Sequence, residues 1–300
     1  MAIPFDLSLE AHYGVLEQLT PLIGRVLAPN PGPYTFRGTG VYIIGAGDRS
    51  VGASRSDQES VAVIDPGPDL PEHLDALKRV IGARKVSHIL ITHTHNDHSP
   101  AARPLKEWSG AKTYAFGPHA EGNELEAGGD RLFVPDVRVR DGEKIEGRDF
   151  SITCVYTPGH TSNHMCYALA QERALFTGDH VMGWSTSVIA PPDGNMGAYL
   201  RSLEKLIARG DTILYPTHGS PITEPGPLLR AYLTHRRMRE AQIAAILARG
   251  GEGIAAIQAR LYPGLKPELV KAALLTVRAH LEHMIEDGKV VRDGEVYRLA

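Results

Sequence analysis

Residues 92–99 read T-H-T-H-N-D-H-S, directly after the run V-S-H-I-L-I at 86–91. The run reads as a β-strand. The octapeptide reads as the loop at its C-terminal end, where open α/β sheets place ligands. Three imidazoles and a carboxylate within six residues make a metal-ligand composition. Zinc takes histidine nitrogen and carboxylate oxygen, and imidazole also suits iron and nickel. Alternate side chains of an extended loop point the same way, so His93 and His95 reach one point while Asp97 and His98 reach a second. Four donors cannot complete two sites, but later segments supply more: His160 in Y-T-P-G-H-T-S-N-H, Asp179 in L-F-T-G-D-H and His218 in L-Y-P-T-H-G-S. Each stands where a strand-like run ends in a turn containing Gly or Pro. A lone histidine is ordinarily a surface or hydrogen-bonded residue, the reading for His12, His73, His88 and His235. His280 and His283 read as helix-surface residues.

Outward from the octapeptide, strands are expected at 41–45, 61–65, 152–156, 165–169, 174–176 and 212–215. Apolar spacing at Leu74, Leu77 and Ile81 predicts a helix over 71–81, and Ser99-Pro100 opens another. Residues 198–207 form a third. Strands interleaved with helices indicate an α/β layered fold. The texture changes near residue 228, after the Pro-rich stretch S-P-I-T-E-P-G-P at 220–227. Three helices follow, then Asp293-Gly294 between alternating apolar residues, a hairpin signal. The expected division is a catalytic domain at 1–227 and a winged-helix-like domain at 228–300.

The chain has 300 residues, 42% hydrophobic, at a net charge of −3, and nothing in that composition suggests a disordered chain or a polyanion binder overall. Residues 231–300 carry 11 basic and 8 acidic side chains. That tail is only weakly basic, and Arg236, Arg237 and Arg239 read as a solvated helix face. Packing against the catalytic domain is therefore the preferred role for the tail over nucleic-acid binding. Its third helix carries an apolar stripe of Leu269, Ala272, Ala273, Leu275, Val277, Leu281 and Met284. The two cysteines, Cys154 and Cys166, read as buried thiols. The N-terminus shows no secretory signal, and no apolar stretch approaches the ~20 residues of a membrane helix. The expectation is a cytoplasmic protein without a membrane partner, monomer or homodimer.

The ordered set H-T-H-N-D-H, P-G-H-T, T-G-D and P-T-H-G resembles the metallo-β-lactamase superfamily, and V-I-D-P-G at 63–67 matches that family's first motif. The C-terminal pattern is similar to the branch called β-lactamase-like protein two, whose animal members are associated with single-stranded RNA cleavage. The resemblance implies an αββα sandwich with a small winged-helix-like C-terminal domain. It implies that His93, His95 and His160 hold one metal, that Asp97, His98 and His218 hold a second, and that Asp179 bridges them. Two Zn2+ per chain are expected, though other divalent metals also suit the donors. Asp65 would orient the metal loop. Thr217 stands where relatives often have Gly. Asp97 and His164 carry over as catalytic, His164 either facing substrate or hydrogen-bonded behind the ligands, and His180 as a supporting or wall residue.

Two metals sharing a water-derived hydroxide make a nucleophile without serine or cysteine. The expected activity is metal-dependent hydrolysis of a small-molecule or single-stranded nucleic-acid substrate, with phosphodiesters placed first. Esters, lactones or thioesters are the alternative, with weak β-lactamase side activity. A non-enzymatic nucleic-acid binder would keep the centre only for structure, and the complete ligand set weighs against it. The 39 residues from Asp179 to His218 leave no room for the inserted domain of the nuclease branches.

Overall fold

The computed structural model describes residues 3–45, 60–120 and 128–300. Its first sheet holds seven strands in sequence order: β1 (Leu16–Gln18), β2 (Ile23–Leu27), β3 (Gly40–Ile44), β4 (Ser60–Ile64), β5 (Lys85–Leu90), β6 (Lys112–Ala115) and β7 (Val137–Arg138). The second holds β8 (Lys144–Glu146), β9 (Ser151–Tyr156), β10 (Met165–Leu169), β11 (Ala174–Gly178) and β12 (Ile213–Pro216), in the order β12-β11-β10-β9-β8.

Period-2 alternation builds the layers. Tyr42, Ile44, Ala62 and Ile64 of the first sheet meet Ile152, Cys154, Met165, Tyr167 and Phe176 of the second in one buried cluster. The neighbours Val41, Ile43, Val61 and Val63 point the other way, onto α1 (Pro71–Ile81) and α2 (Ala102–Ser109). Val155, Cys166 and Leu175 point outward from the second sheet onto α3 (Met196–Arg209) and the start of α4 (Pro225–Leu247). The result is helix, sheet, sheet, helix. Strands buried on both faces read as continuous apolar runs, which is why 41–45 and 61–65 were legible.

Helix ends follow local chemistry. Pro71 opens α1, where a missing N–H costs nothing. Asn195 caps α3 by accepting from Ala198 N at 2.7 Å, and Gly210 ends it left-handed. β2 is not announced by the sequence, because Gly24 and Arg25 interrupt its apolar run. Arg25 is nonetheless buried, donating to Glu17 at 2.6 Å and to the Gly219 carbonyl at 3.0 Å.

The C-terminal unit contains α5 (Ile254–Leu261), α6 (Pro267–Glu286) and a small sheet of β13 (Glu252–Gly253), β14 (Val290–Asp293) and β15 (Val296–Leu299). Its core gathers Ile243, Leu247, Ile257, Leu261, Val277, Leu281 and Met284. α6 also touches α3, and Ala279 joins the cluster outside the second sheet. The apolar residues of α6 thus fall on two faces. Val277, Leu281 and Met284 are buried, whereas Leu269, Ala272 and Leu275 are half-buried. Two sequence readings are corrected here. Arg236 is buried at 2% exposure, and His280 at 1%, rather than lying on solvated faces. Both cysteines are buried and free. Among the described residues, no helix is long and apolar enough to cross a membrane.

Candidate metal centre

The loops after β5, β9, β11 and β12 converge at one edge of the sandwich. Backbone bonds zip the two sheets there: Met165 N donates to the Thr92 carbonyl at 2.7 Å, and Gly40 N to the Thr217 carbonyl at 2.7 Å. Tyr167 Oη adds a bond to the Ile91 carbonyl at 2.8 Å. Each loop is thereby held to its neighbour across the sandwich.

All seven sequence candidates for ligands meet in this space. The donor atoms of His93, His95 and His160 lie within 4.8 Å of one another, as do those of His93, His98 and Asp179, and those of Asp97, His98 and His218. His95 Nδ1 is 2.8 Å from His93 Nε2 and 3.1 Å from His160 Nε2. Asp179 faces both halves. Its Oδ1 is 3.5 Å from His98 Nε2 and 3.4 Å from His218 Nε2, while Oδ2 is 3.7 Å from His160 Nε2.

The other ring nitrogens are already committed. His98 Nδ1 donates to Asp65 Oδ2 at 2.9 Å, His160 Nδ1 to the Val188 carbonyl at 2.6 Å, and His218 Nδ1 to the Gly38 carbonyl at 3.0 Å. An acceptor beside Nδ1 fixes the proton there and leaves the Nε2 lone pair aimed inward. Asp65 is the hub. It accepts from Thr92 N and Thr92 Oγ1, both at 2.7 Å, from His98, and from Thr217 Oγ1 at 3.1 Å. Thr217 therefore helps hold the hub.

The fit to a cation is tested by what lacks a partner. His98 Nε2 and Asp179 Oδ1 are buried without a hydrogen-bond partner, and His218 Nε2 has beside it the Asp97 Oδ2 carboxylate oxygen at 3.0 Å. Each such atom costs ~1–3 kcal/mol unless something binds it. Charge points the same way. Burial opposes protonation of His98, yet Asp97, Asp179 and Asp65 outweigh it and hold its pKa well above the ordinary value. Burial opposes His218 likewise, and Asp179 and Asp97 raise it. Burial takes His93 well below its ordinary value, helped by the neighbouring His98, and takes His160 down to about 4, helped by His95. The cluster asks for positive charge beside its carboxylates, and imidazole nitrogen with carboxylate oxygen is a donor set for divalent transition metals.

His164 is fully buried behind the cluster. Its ring centroid lies 5.2 Å from that of His93, and Nδ1 bonds Thr157 Oγ1 at 2.9 Å. His180 is buried against the Tyr199 ring at 4.6 Å. Neither is among the residues lining the adjoining cavity. That cavity, of about 710 Å³, opens onto His95, Asp97, His160 and Asp179. Its walls include Tyr34, Met182, Trp184, Leu269, Ala272 and Leu275. Lys271 is the one lysine or arginine among its described lining residues.

Sequence reasoning missed three supports. Gly38 and Val188 act through backbone carbonyls, which leave no side-chain signal. Arg236 Nη2 donates to the Ser187 carbonyl, while its guanidinium lies 5.1 Å from the Tyr199 ring centroid. Ser187 Oγ in turn donates to the Asp179 carbonyl at 2.6 Å, so α4 braces the Asp179 loop. The available signal was position: Arg236 continues the buried face of Leu229 and Tyr232.

Residues 46–218 match the metallo-β-lactamase superfamily, and residues 254–298 match the β-lactamase associated winged helix domain. The chain is 28% identical to the lactamase-like protein adaB of Aspergillus niger, over 93% of this chain and 85% of the relative. It is 31% identical to an atrochrysone carboxyl ACP thioesterase of Aspergillus chevalieri, over 77% of this chain and 68% of the relative. A crystal structure of a β-lactamase domain protein from Burkholderia ambifaria has the same fold, with a TM-score of 0.80 at 19% identity, covering 98% of this chain and 96% of that one.

Proposed function

The chain belongs to the metallo-β-lactamase superfamily and is a hydrolase, and from that premise we propose that it cleaves acyl esters, thioesters foremost, at a two-metal centre. The observation that carries this reading is the apolar cavity opening directly onto the ligand cluster. A phosphodiester or single-stranded RNA would favour several lysines or arginines along its path, because phosphate contacts dominate such binding. An acyl group instead gains by leaving water, at roughly 25 cal/mol per Å² of apolar surface. The thioesterase name of the Aspergillus chevalieri relative points the same way.

His93, His95 and His160 would hold one cation, Asp97, His98 and His218 a second, with Asp179 facing both. Divalent cations bound there supply Lewis acidity and an acidified water, zinc being the first choice for these donors. Asp97 lines the cavity and is the carboxylate placed to take a proton from the attacking water. Asp65 holds His98 and the Thr92 turn in register for that attack. His164 keeps His93 in place from behind. Hydrolysis would add the water oxygen to the acyl carbon and break the carbon–sulfur bond. The departing sulfur would take up the proton.

The test is a hydrolase panel on full-length protein of verified metal content: an acyl thioester, a lactone, bis-p-nitrophenyl phosphate, single-stranded RNA and a chromogenic β-lactam. The thioester should give a kcat/KM at least about 100-fold above either phosphodiester, since interactions built for one polar group reject another by margins of that order. A faster phosphodiester would sink the acyl reading. Elemental analysis should find close to two transition-metal equivalents per chain.

A further inference from the structure

We infer that the first turns of α6, in the C-terminal winged helix, form the acyl-binding wall of the active-site cavity. They would select substrates whose acyl group is apolar and long enough to reach Leu269 and Leu275. The identity of the ligand rests on the acyl-ester reading above. The wall itself rests on the second apolar face of α6, which the C-terminal core does not cover.

Leu269, Ala272 and Leu275 recur every third residue, so they share one side of the helix. Further along, Val277, Leu281 and Met284 are covered by Ile243, Leu247, Ile257 and Leu261. Among the described residues, Leu269, Ala272 and Leu275 lie outside that cluster. They remain half-buried and line the same cavity as the candidate ligands His95, Asp97, His160 and Asp179. A helix with one apolar face covered by protein and a second apolar face lining a substrate-sized cavity has been left room for an apolar guest. At about 710 Å³ the space lies within the range of small-molecule sites, ~300–1,000 Å³, and far exceeds an acetyl group.

The wall is braced. Tyr34 Oη donates to the Glu268 carbonyl at 3.1 Å, tying the start of α6 to the 30–36 loop. Phe36 in that loop stacks on Trp184 with centroids 5.0 Å apart and planes at 14°. Tyr34 and Trp184 both line the cavity. Three segments far apart in sequence are thus linked around one opening, so little ordering remains to be done when a ligand enters.

The experiment measures binding separately from turnover. Calorimetry on the metal-loaded full-length protein follows the reaction products: acetate, hexanoate and decanoate. The same acyl groups as N-acetylcysteamine thioesters give kcat/KM. Product affinity should rise by up to roughly four-fold per buried methylene until the cavity is filled. Leu275→Trp should cut the decanoate-to-acetate ratio at least ten-fold, at unchanged metal content and melting temperature. Leu269→Ala, a milder change, should reduce the same ratio several-fold and keeps the test valid if the tryptophan misfolds. Val291→Ser, on the exposed hairpin, should change nothing.

Affinity independent of chain length, or a length dependence unaltered by both α6 variants, would overturn the inference. Length-dependent, α6-dependent binding without thioester turnover would support the wall while removing the thioesterase reading. Turnover whose kcat/KM ignores acyl length would do the reverse.

Discussion

Gly38 carries no side chain, yet it helps decide where His218 points. Its φ is +130°, and a Cβ there would sit 2.2 Å from the Ala28 carbonyl oxygen, a backbone atom that cannot step aside cheaply. The Gly38 carbonyl is what holds His218 Nδ1. Gly38→Ala should therefore shift that carbonyl and loosen the Asp97, His98 and His218 half of the site. Loss of such an orienting contact typically costs about 10- to 100-fold in metal affinity. Competition with a chelator should show weakened binding of one metal equivalent. Unchanged affinity for both would rule out the orienting role. The convergence of the candidate ligands was legible because they stand in short motifs at strand ends, a pattern of side chains. The carbonyls of Gly38 and Val188 were not, because every residue has one and only the fold selects which is used. His280 failed for a related reason. His280, one position before Leu281 on α6, reads as surface until Glu240, forty residues earlier, is known to face it.

At the scale of elements, α4 and α6 are joined by that glutamate. Glu240 Oε1 accepts from His283 Nδ1 at 2.8 Å and lies 3.4 Å from His280 Nδ1. Burial would raise the Glu240 carboxyl, but bonds from His280 and His283 outweigh it and bring it down to about 2. The bond to Glu240 raises His283, while burial lowers His280. Asp287 and Lys289 also face His283, and Arg236 faces His280. The signs follow from linkage. The depressed Glu240 contributes stability above its ordinary pKa near 4.5, lost as pH falls toward 2. The raised His283 contributes stability in full below about 6.5 and loses it as pH climbs through its higher folded value. His280 works against the pair below that point. Glu240 and His283 together should stabilise the α4–α6 link most between about pH 4.5 and 6.5, with His280 offsetting part of that gain. Glu240→Gln should lower the melting temperature more at pH 5.5 than at pH 8.5, by about 2–4 °C for each kcal/mol lost. Equal loss at both pH values would show the contact to be packing alone. The long helices were legible from their 3.6-residue spacing and Pro or Gly ends. The short β7, β8 and β13 were not, because two or three residues hold no period.

Across the whole molecule, α4 belongs to both parts. Leu228, Leu229 and Tyr232 pack into the cluster outside the second sheet, whereas Ile243 and Leu247 lie in the winged-helix core. The cut suggested by composition, between 227 and 228, would pass through the base of this helix. A chain ending at Leu228 loses Tyr232, whose Oη accepts from Met182 N at 3.3 Å, and Arg236, which holds the Ser187 carbonyl. Both brace the stretch that follows Asp179. A chain ending at Gly250 keeps those braces. It loses α6, exposes Ile243 and Leu247, and opens one side of the cavity. The shorter chain should therefore fail in two ways, binding less metal and aggregating through the surface left bare. The longer chain should keep its metal, bind an apolar dye strongly, and lose discrimination between long and short acyl groups. Metal analysis, dye binding and product calorimetry on the two truncated proteins separate these outcomes. If the C-terminal unit were instead an RNA arm, both chains would stay soluble and fully metal-loaded. They would lose only RNA affinity and its salt dependence. That result would break the link argued here, in which α4 braces the chemistry and α6 chooses what reaches it.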